Sequence, residues 1–302
     1  MKTTPRRVNG ILLLDKSKGD SSNRALQKIK RLFNAKKAGH TGTLDPLASG
    51  LLPICFGEAT KVAQFLLDSD KRYFSDFVLG VTTTTGDAEG EVIERKSWGD
   101  LGELDVATKM AEMVGEISQI PPMHSAVKFE GKRLYALARK GVIVERKARS
   151  VDIRRFDLVS FNPPICSVDV TCSKGTYIRV LAEDLAGTLG TGGHVSSLRR
   201  IQSGVFHVND AYTMSTLELL AEKNGVEFLD GLLLPVDHAL GHLPKVALLP
   251  DASKAFENGL TSIEPFCFRA AKLLRVYCAN KFLGVGKVDE NGRIVPKRGF
   301  NA

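Results

Sequence analysis

The stretch AGHTGTLDPLASGLLP, residues 38–53, contains a single carboxylate, Asp45, in an otherwise uncharged loop that begins beside His40. Residues 39–46 include two glycines, two threonines and Pro46, and Pro46 biases Asp45 toward an extended backbone. A loop of this composition is suited to holding one side chain in a fixed orientation. The pattern therefore indicates Asp45 as a candidate reactive group.

The Asp-Pro pair also has an ordinary structural interpretation. Asp is a preferred N-cap and Pro a preferred first helical residue, so a helix through Leu47 to Leu52 would account for both Asp45 and Pro46. Taken alone, the local sequence favours this helix cap. On these residues both interpretations stay open.

Upstream of this loop, the pattern predicts one strand and one helix. Ile11 to Leu14 is a short apolar run typical of a buried strand. Ser21 or Ser22 would cap the following helix, in which apolar residues recur at helical spacing from Leu26 to Phe33.

Positive charge is concentrated in the first 40 residues. They contain 11 Lys and Arg against only Asp15 and Asp20, an excess of +9 in a chain whose net charge is +8, so the rest is close to neutral. The excess predicts a docking face for phosphates, although a solvated surface is equally compatible with charge alone. The predicted helix and the turn after it carry Lys28, Lys30, Arg31, Lys36 and Lys37.

Downstream, the segments 58–67 and 103–114 read as helical, and Tyr73 to Leu79 alternates as a strand. Residues 166–173 alternate as a half-buried strand, and a helix with an apolar face follows Gly175. Ser215 and Glu218 have capping-box spacing.

The sequence changes character after Pro235, where short β-rich runs follow one another. Asn291-Gly292 predicts a type I′ hairpin turn between the last two strands. We therefore expect two units, residues 1–244 and a small β-rich module at 245–302.

The cysteines and the apolar runs suggest a cytoplasmic protein. The five cysteines form no C-x-x-C pair and read as reduced core thiols, at positions Cys55, Cys166, Cys172, Cys267 and Cys278. No apolar run reaches the length of a signal-peptide core or a membrane helix. The sequence also lacks a G-x-G-x-x-G motif, a P-loop and a metal-ligand pattern, so we expect no nucleotide cofactor and no metal.

AGHTGTLDPLASGLLP is very similar to the catalytic motif of the bacterial TruB-type tRNA pseudouridine-55 synthase family. Three further stretches resemble the same family in the expected order: GILLLDKSKGDSSN, DSDKRYFSDFVLG, and CSKGTYIRVLAEDLAGTLGTGGHVSSLRR. The likeness covers most of residues 9–205. The tail resembles the small PUA-type RNA-binding module that ends these enzymes.

The resemblance implies a fold and an activity. The expected fold is α+β: a mixed, largely antiparallel central sheet flanked by helices, the pseudouridine synthase fold, followed by a small C-terminal PUA-like β-barrel. The expected activity is isomerisation of uridine 55 in the T-arm loop of tRNA to pseudouridine, by a protein that is a monomer. Moving the ribosyl bond from N1 to C5 needs no redox carrier, metal or nucleotide energy source.

The resemblance also implies roles for individual residues. Asp45 would be the catalytic carboxylate, and Arg179 would pair with it and keep it ionised. Tyr73 would stack on the target base and accept or relay the C5 proton. His40 would help displace the base. Matching positions that complete the substrate pocket are Tyr177 and Leu198.

Ordinary alternatives accompany these roles. His40 would also fit a hydrogen-bonded loop histidine, Tyr73 a sheet aromatic, Arg179 a surface ion pair, and Tyr177 and Leu198 core packing. Attack by the carboxylate on C1′, addition to the uracil ring and removal of a sugar proton all stay open. A tRNA-binding or folding protein without catalysis is the alternative function.

Three further positions bear on the resemblance. Asp87 lies where the family has an acidic residue, although turns favour Asp for their own geometry. Ser17 replaces the family's usual proline, which we expect to loosen the DKSKG turn modestly while a contact by Lys16 survives. His124 replaces an expected tyrosine, so any contact of that phenol is in doubt.

Overall fold

The computed structural model describes residues 4–125, 127–261 and 273–300. Its strands are β1 Gly10–Lys16, β2 Ala38–His40, β3 Ser49–Phe56, β4 Lys71–Leu79, β5 Val81–Thr83, β6 Val92–Arg95, β7 Gly115–Gln119, β8 Lys128–Phe129, β9 Lys132–Arg133, β10 Arg149–Asn162, β11 Ile165–Cys172, β12 Gly193–Ser203, β13 Phe206–His207, β14 Tyr212–Thr213, β15 Lys245–Ala247, β16 Leu273–Cys278, β17 Lys281–Val288 and β18 Ile294–Gly299. Its α-helices are α1 Ser22–Leu32, α2 Ala63–Leu67, α3 Glu103–Glu112, α4 Leu134–Ala138, α5 Ile178–Thr188, α6 Met214–Asn224 and α7 Pro250–Glu257. Short 3-10 helices cover Gly57–Lys61, Val208–Asp210, Val226–Leu232 and Val236–Leu240.

A ten-stranded mixed sheet forms the centre of the molecule. Its order is β14-β1-β3-β12-β4-β11-β10-β7, with β2 beside β3 and β13 beside β12. The β1–β14 and β3–β12 pairs are parallel, and every other neighbouring pair in this sheet is antiparallel. The predicted α+β fold with a mixed, largely antiparallel central sheet is confirmed.

Strand β4 shows why this sheet has a packed face and an open face. Tyr73, Ser75 and Phe77 are buried, whereas the alternate residue Phe74 is 42% exposed. Successive side chains of a strand point to opposite faces, so Tyr73 lies on the packed face of a central strand. Helix α5 lies against the neighbouring strand β12 on that face and buries Leu185.

Helix α1 follows β1 as predicted, and Ser21 is its N-cap. The Ser21 hydroxyl accepts a hydrogen bond from the backbone N–H of Arg24 at 3.2 Å, which satisfies a donor of the first turn. Leu26 and Ile29 are buried on its inner face. Ser22 is therefore the first helical residue, and its hydroxyl bonds to the backbone of Leu44 instead of capping the helix.

The helix considered for Leu47 to Leu52 is wrong. Strand β3 begins at Ser49, and Leu51 and Leu52 are both fully buried within it. A strand buried on both faces presents the same continuous apolar run as a buried helix, so the pattern alone does not separate them. Asp45 therefore does not cap a helix in this position.

Two smaller local predictions also need correction. The N-cap of α6 is Thr213 rather than Ser215, because the Thr213 hydroxyl accepts from the backbone N–H three residues later at 3.1 Å. Strands β17 and β18 form a hairpin, but a type I′ turn is wrong because Gly292 has a positive φ of 75° and Asn291 does not. The Asp289 carboxylate instead accepts two backbone N–H groups of a longer loop.

The predicted β-rich module at the carboxyl end is a four-stranded sheet in the order β15-β16-β17-β18. Leu274 and Val276 of this sheet pack against Phe256 of α7 in an apolar cluster. Val285 and Phe300 instead join a cluster that includes residues of β1 and β3. The module thus has its own small core and also packs against the large sheet.

Three of the four cysteines within the described residues are buried, namely Cys55, Cys166 and Cys172, and Cys278 is partly buried; all four are free. Burial raises the pKa of each buried thiol to about 12, as expected for inert core thiols. Cys267 lies outside the described residues. Within the described ranges, no helix combines the length and apolar character needed to span a membrane.

Candidate active site

The loop between β2 and β3 is fixed by contacts from the chain segment around α1. The Ser22 hydroxyl, which is buried, accepts from the backbone N–H of Leu44 at 2.7 Å and donates to the Leu44 carbonyl at 2.9 Å. The backbone N–H of Gly19 donates to the Pro46 carbonyl at 2.8 Å. These bonds hold the backbone on both sides of Asp45, so the carboxylate is presented by a stiff loop.

Asp45 and Arg179 form an ion pair. Arg179 Nη2 lies 2.9 Å from Asp45 Oδ2, and the side chains are 5% and 36% exposed respectively. The guanidinium also donates to the carbonyls of Thr85 at 2.7 Å and His124 at 2.8 Å. Arg179 is thus held by backbone contacts that do not involve Asp45. It is the second residue of α5, and this position directs its side chain toward the Asp45 loop.

The electrostatic environment of Asp45 contains opposing influences. Burial raises the pKa of the carboxyl group above its ordinary value, and the nearby Asp87 carboxylate raises it further. The Arg179 guanidinium opposes this shift by its charge and its hydrogen bond. Arg179 therefore favours the ionised form of Asp45 without fully cancelling the effect of burial.

Asp87 orders its own turn and also lies beside Arg179. Its carboxylate accepts from the Thr85 hydroxyl at 2.5 Å and from the backbone N–H of Glu89 at 3.1 Å, which orders the turn. It also lies 3.6 Å from Arg179 Nη1 and is 5% exposed. Arg179 therefore lies between two carboxylates, of which Asp45 is the more exposed.

A cavity of about 370 Å³ opens beside this ion pair. Five of the six predicted site residues line it: Asp45, Tyr73, Tyr177, Arg179 and Leu198. A volume in this range suits a small organic group such as a nucleobase with its ribose. The structure thus brings together residues from β4, β12, the start of α5 and the Asp45 loop.

The two tyrosines of the cavity are held in different ways. Tyr73 is 9% exposed on β4, and burial raises the pKa of its phenol while the adjacent Arg200 opposes the shift. Tyr177 precedes α5, and its backbone N–H donates to the Gln119 side chain at 3.0 Å. The Arg149 guanidinium lies 4.7 Å from the Tyr177 ring centroid. Tyr73 therefore belongs to the floor and Tyr177 to the wall.

His40 is the predicted site residue that does not line the cavity. It is half-buried at the end of β2, opposite Ile54 of β3. Its position five residues before Asp45 places it at the start of the same loop. The structure therefore groups His40 with the loop rather than with the cavity wall.

The residues that depart from the family pattern are accommodated. Lys16 is 1% exposed, and its ammonium group donates to the carbonyls of Ser17 at 2.9 Å and Asp20 at 2.6 Å, so the turn is tied together without proline. Burial lowers the pKa of Lys16 to about 8. His124 contributes its backbone carbonyl to Arg179, a contact that does not depend on the side-chain type.

Sequence reasoning missed three basic residues in the cavity wall, Lys71, Arg149 and Arg200. Lys71 donates to three backbone carbonyls between residues 66 and 69, and burial lowers its pKa to about 8. The alternation of β4 was a usable signal for Lys71, because it places residue 71 on the same face as Tyr73. Arg149 and Arg200 gave no comparable local signal.

Family models match nearly the whole chain. "TruB family pseudouridylate synthase (N terminal domain)" matches residues 30–178, "tRNA pseudouridylate synthase B C-terminal domain" matches 179–241, and "Pseudouridine synthase II TruB, C-terminal" matches 244–300. The last match agrees with a PUA-like module at the carboxyl end.

Individual proteins agree with the family models. The chain is 48% identical to the tRNA pseudouridine synthase B of Pseudomonas aeruginosa strain UCBPP-PA14 over 99% of its own length and 98% of that protein. It is also 48% identical to the protein of the same name from Nitrosococcus oceani, over 96% and 94%.

Two solved structures are similar in fold. A Cbf5-Nop10-Gar1 complex contains a chain with a TM-score of 0.72 and 28% identity, covering 94% of this chain and 79% of that one. An H/ACA RNP bound to a substrate RNA containing 2′-deoxyuridine contains a chain with a TM-score of 0.74 and 25% identity, covering 97% and 85%. With these motifs, this sheet and these matches, the chain belongs to the TruB family of pseudouridine synthases.

Proposed function

We propose that this protein isomerises uridine 55 in the T-arm loop of tRNA to pseudouridine, with Asp45 as the catalytic carboxylate. The observation that carries the proposal is the Asp45 carboxylate, held 2.9 Å from the Arg179 guanidinium at the edge of an open cavity. Membership of the TruB family and 48% identity to proteins named tRNA pseudouridine synthase B support it.

The proposed reaction breaks the N1–C1′ bond, rotates the base and forms a C5–C1′ bond. Attack on C1′, addition to the ring and removal of a sugar proton each require an ionised carboxylate, and Arg179 favours that form of Asp45. The carboxylate is a third exposed, so it can meet a nucleoside that enters the cavity. Arg179 is a catalytic residue in this scheme because it contacts the reacting carboxylate.

The target base has to leave its stack before it reaches Asp45, which costs a few kcal/mol. Stacking on Tyr73 would offset part of this cost, while Tyr177 and Leu198 would enclose the base and ribose. Tyr73 then accepts the C5 proton at the end of the reaction. His40, at the start of the Asp45 loop, would act on the RNA side of the site by displacing the base.

Docking of the T-arm would use the basic residues near α1 and the PUA-like module. Lys28 is already paired with Asp20 at 2.6 Å, which leaves Lys30, Arg31, Lys36 and Lys37 as the more suitable phosphate contacts. We further propose that residues 1–244 form the catalytic domain and residues 245–302 the RNA-binding module. The chain is further proposed to act as a monomer.

The test uses T-arm RNA tritiated at C5 of the target uridine. Wild-type protein should release tritium to water, and D45N should bind the same RNA without releasing it. The matched control is D100N, at an exposed position outside the cavity, which should release tritium at the wild-type rate. Wild-type protein that binds this RNA but releases no tritium would identify the alternative, a tRNA-binding or folding protein without catalysis.

A further inference from the structure

Arg200 occupies a central position in the sheet beneath the cavity. On β12 it lies opposite Tyr73 of β4 on one side and opposite Gly50 of β3 on the other. Directly opposed residues in neighbouring strands project from the same face, so the guanidinium and the phenol share the packed side of the sheet. Arg200 is 1% exposed, and it is among the largest fully buried side chains described.

The guanidinium ties β3 to the Asp45 loop beside Tyr73. Nε donates to the Leu51 carbonyl at 2.7 Å and Nη2 to the Gly42 carbonyl at 3.2 Å. Tyr73 is the cross-strand neighbour of Arg200, and both side chains line the cavity. One side chain therefore bonds to β3 and to the loop that carries Asp45, and it lies next to the aromatic floor of the cavity.

The backbone around this guanidinium is adapted to it. Gly50 has a φ of +98°, and a Cβ there would lie 2.3 Å from the Arg200 carbonyl oxygen. Gly42 has a φ of +93°, and a Cβ there would lie 3.5 Å from Arg200 Nη1. A side chain at Gly50 would therefore displace the Arg200 backbone, whereas one at Gly42 would meet Nη1 at an ordinary contact distance and be disfavoured by its φ alone.

Arg200 carries a buried charge without a counter-ion. Across residues 4–125, 127–261 and 273–300, no ion pair joins a carboxylate to this guanidinium, whereas Arg179 has two. A buried cation with only neutral partners is costly, and a negative charge that forms beside it reduces this cost. The polar group positioned to become negative beside Arg200 is the Tyr73 hydroxyl.

We propose that Arg200 is a positioning residue that stabilises negative charge on the oxygen of its cross-strand neighbour Tyr73, so that Tyr73 accepts the C5 proton. This inference rests on the proposed function. Tyr73 first loses its own proton to water, which the Arg200 charge favours; the C5–H bond then breaks and its proton moves to the phenolate oxygen. The bonding electron pair forms the C5–C6 double bond, and the electrons of the C6–N1 double bond move to N1, which takes a proton from water. Burial raises the pKa of Tyr73, and Arg200 opposes that shift, which increases the share of the phenolate that can accept the proton.

The experiment compares R200K and R200Q with wild type on T-arm RNA carrying either hydrogen or deuterium at C5 of the target uridine. R200Q removes the charge, and R200K keeps it without the fork that reaches two carbonyls. We expect kcat to fall roughly tenfold to a hundredfold in R200Q and less in R200K, with KM within about twofold. The C5 deuterium effect should rise, because proton removal becomes slower.

The pH profile supplies a readout that a purely structural role would not change. Without the positive charge the Tyr73 phenolate is less stable, so the limb of the kcat profile that reports its ionisation should move to higher pH in R200Q. The other titratable groups beside Tyr73 and Arg200 are Lys16, Asp45, Lys71 and Cys172, and the Lys71 pKa of about 8 is also lowered by Arg200. The limb is therefore assigned to Tyr73 by its absence from the profile of Y73F. The matched control is R199K, on the same strand but on the opposite face, where Arg199 pairs with Asp15 at 2.7 Å. R199K should keep the wild-type kcat, isotope effect and pH profile.

The proposal is overturned if the Arg200 variants lose kcat without a larger isotope effect, or if they behave like R199K. Circular dichroism checks that each variant is folded. Y73F tests the same step with Arg200 unchanged, and it must also show a lower kcat and a larger isotope effect. A wild-type isotope effect in Y73F would contradict the proposal as well. If wild-type protein makes no pseudouridine, the proposed function fails instead, and tritium release reports that separately.

Discussion

Substituting Ser22 by alanine should weaken both the fold and catalysis, because this hydroxyl holds the backbone of the Asp45 loop. It is 1% exposed and bonds to both the N–H and the carbonyl of Leu44, at 2.7 and 2.9 Å. Its loss leaves two buried backbone groups without that partner, at roughly 1–3 kcal/mol each. Since the loop borders a cavity and water can reach part of it, we expect a loss near the lower end, about 2 kcal/mol.

The effect on catalysis follows from the position of Asp45 next to Leu44. A displacement of about 1 Å in a catalytic group can lower the rate by as much as ~100-fold. We expect Ser22→Ala to lower kcat about tenfold and leave KM for T-arm RNA nearly unchanged, because RNA contacts outside the loop are retained. Urea unfolding followed by circular dichroism gives the stability, and steady-state tritium release gives the kinetic constants.

The adjacent serine provides the matched control. Ser21 caps α1 through an exposed hydrogen bond of 3.2 Å, so Ser21→Ala should cost about 1 kcal/mol and leave kcat unchanged. Both substitutions remove one hydroxyl from the start of the same helix. If Ser22→Ala loses no more stability than Ser21→Ala and keeps the wild-type kcat, the hydroxyl does not hold the catalytic loop.

Two further predictions concern the ion pair and the sheet. R179K should move the acid limb of the kcat/KM profile to higher pH, because Arg179 favours ionised Asp45 against burial, and D87N should move it to lower pH because Asp87 acts in the opposite direction. A shift of the acid limb in the same direction in both variants would contradict this assignment. Gly50→Ala should cost at least ~2 kcal/mol in urea unfolding, since φ is +98° and the added Cβ would meet the Arg200 carbonyl.

The elements with a strong local pattern were predictable from the sequence. The alternation of Tyr73 to Leu79 identified β4, and the apolar run at Ile11 to Leu14 identified the core of β1. The order of strands in the sheet was not available from such patterns, because pairing depends on residues far apart in the chain. The resemblance to a known family, rather than periodicity, supplied the expected sheet and the PUA-like module.

The candidate site was predictable where a residue lies within a family motif. Asp45, Tyr73 and Arg179 do, and the structure brings them to one cavity. Arg149 lies outside the quoted family motifs, and Arg200 was missed although it ends the last of them, because its importance comes from tertiary contacts such as its bond to the Leu51 carbonyl. The Asp-Pro pair shows the opposite error, in which a locally preferred helix cap loses to a buried strand that pairs with distant partners.

The two buried arginines of the site differ in their ionic partners, and this difference assigns each of them to a different stage of the reaction. Arg179 is already balanced by Asp45 and Asp87, so its charge maintains the carboxylate that begins the reaction. Arg200 bonds to two carbonyls beside its cross-strand neighbour Tyr73, and within the described part of the chain it has no ion-paired carboxylate. Its charge is therefore available to the Tyr73 phenolate that accepts the C5 proton in the last step. A carboxylate introduced beside Arg200 would pair with its buried charge and leave less of that charge for the Tyr73 phenolate. Such a substitution should therefore slow proton removal even though it would satisfy a buried charge.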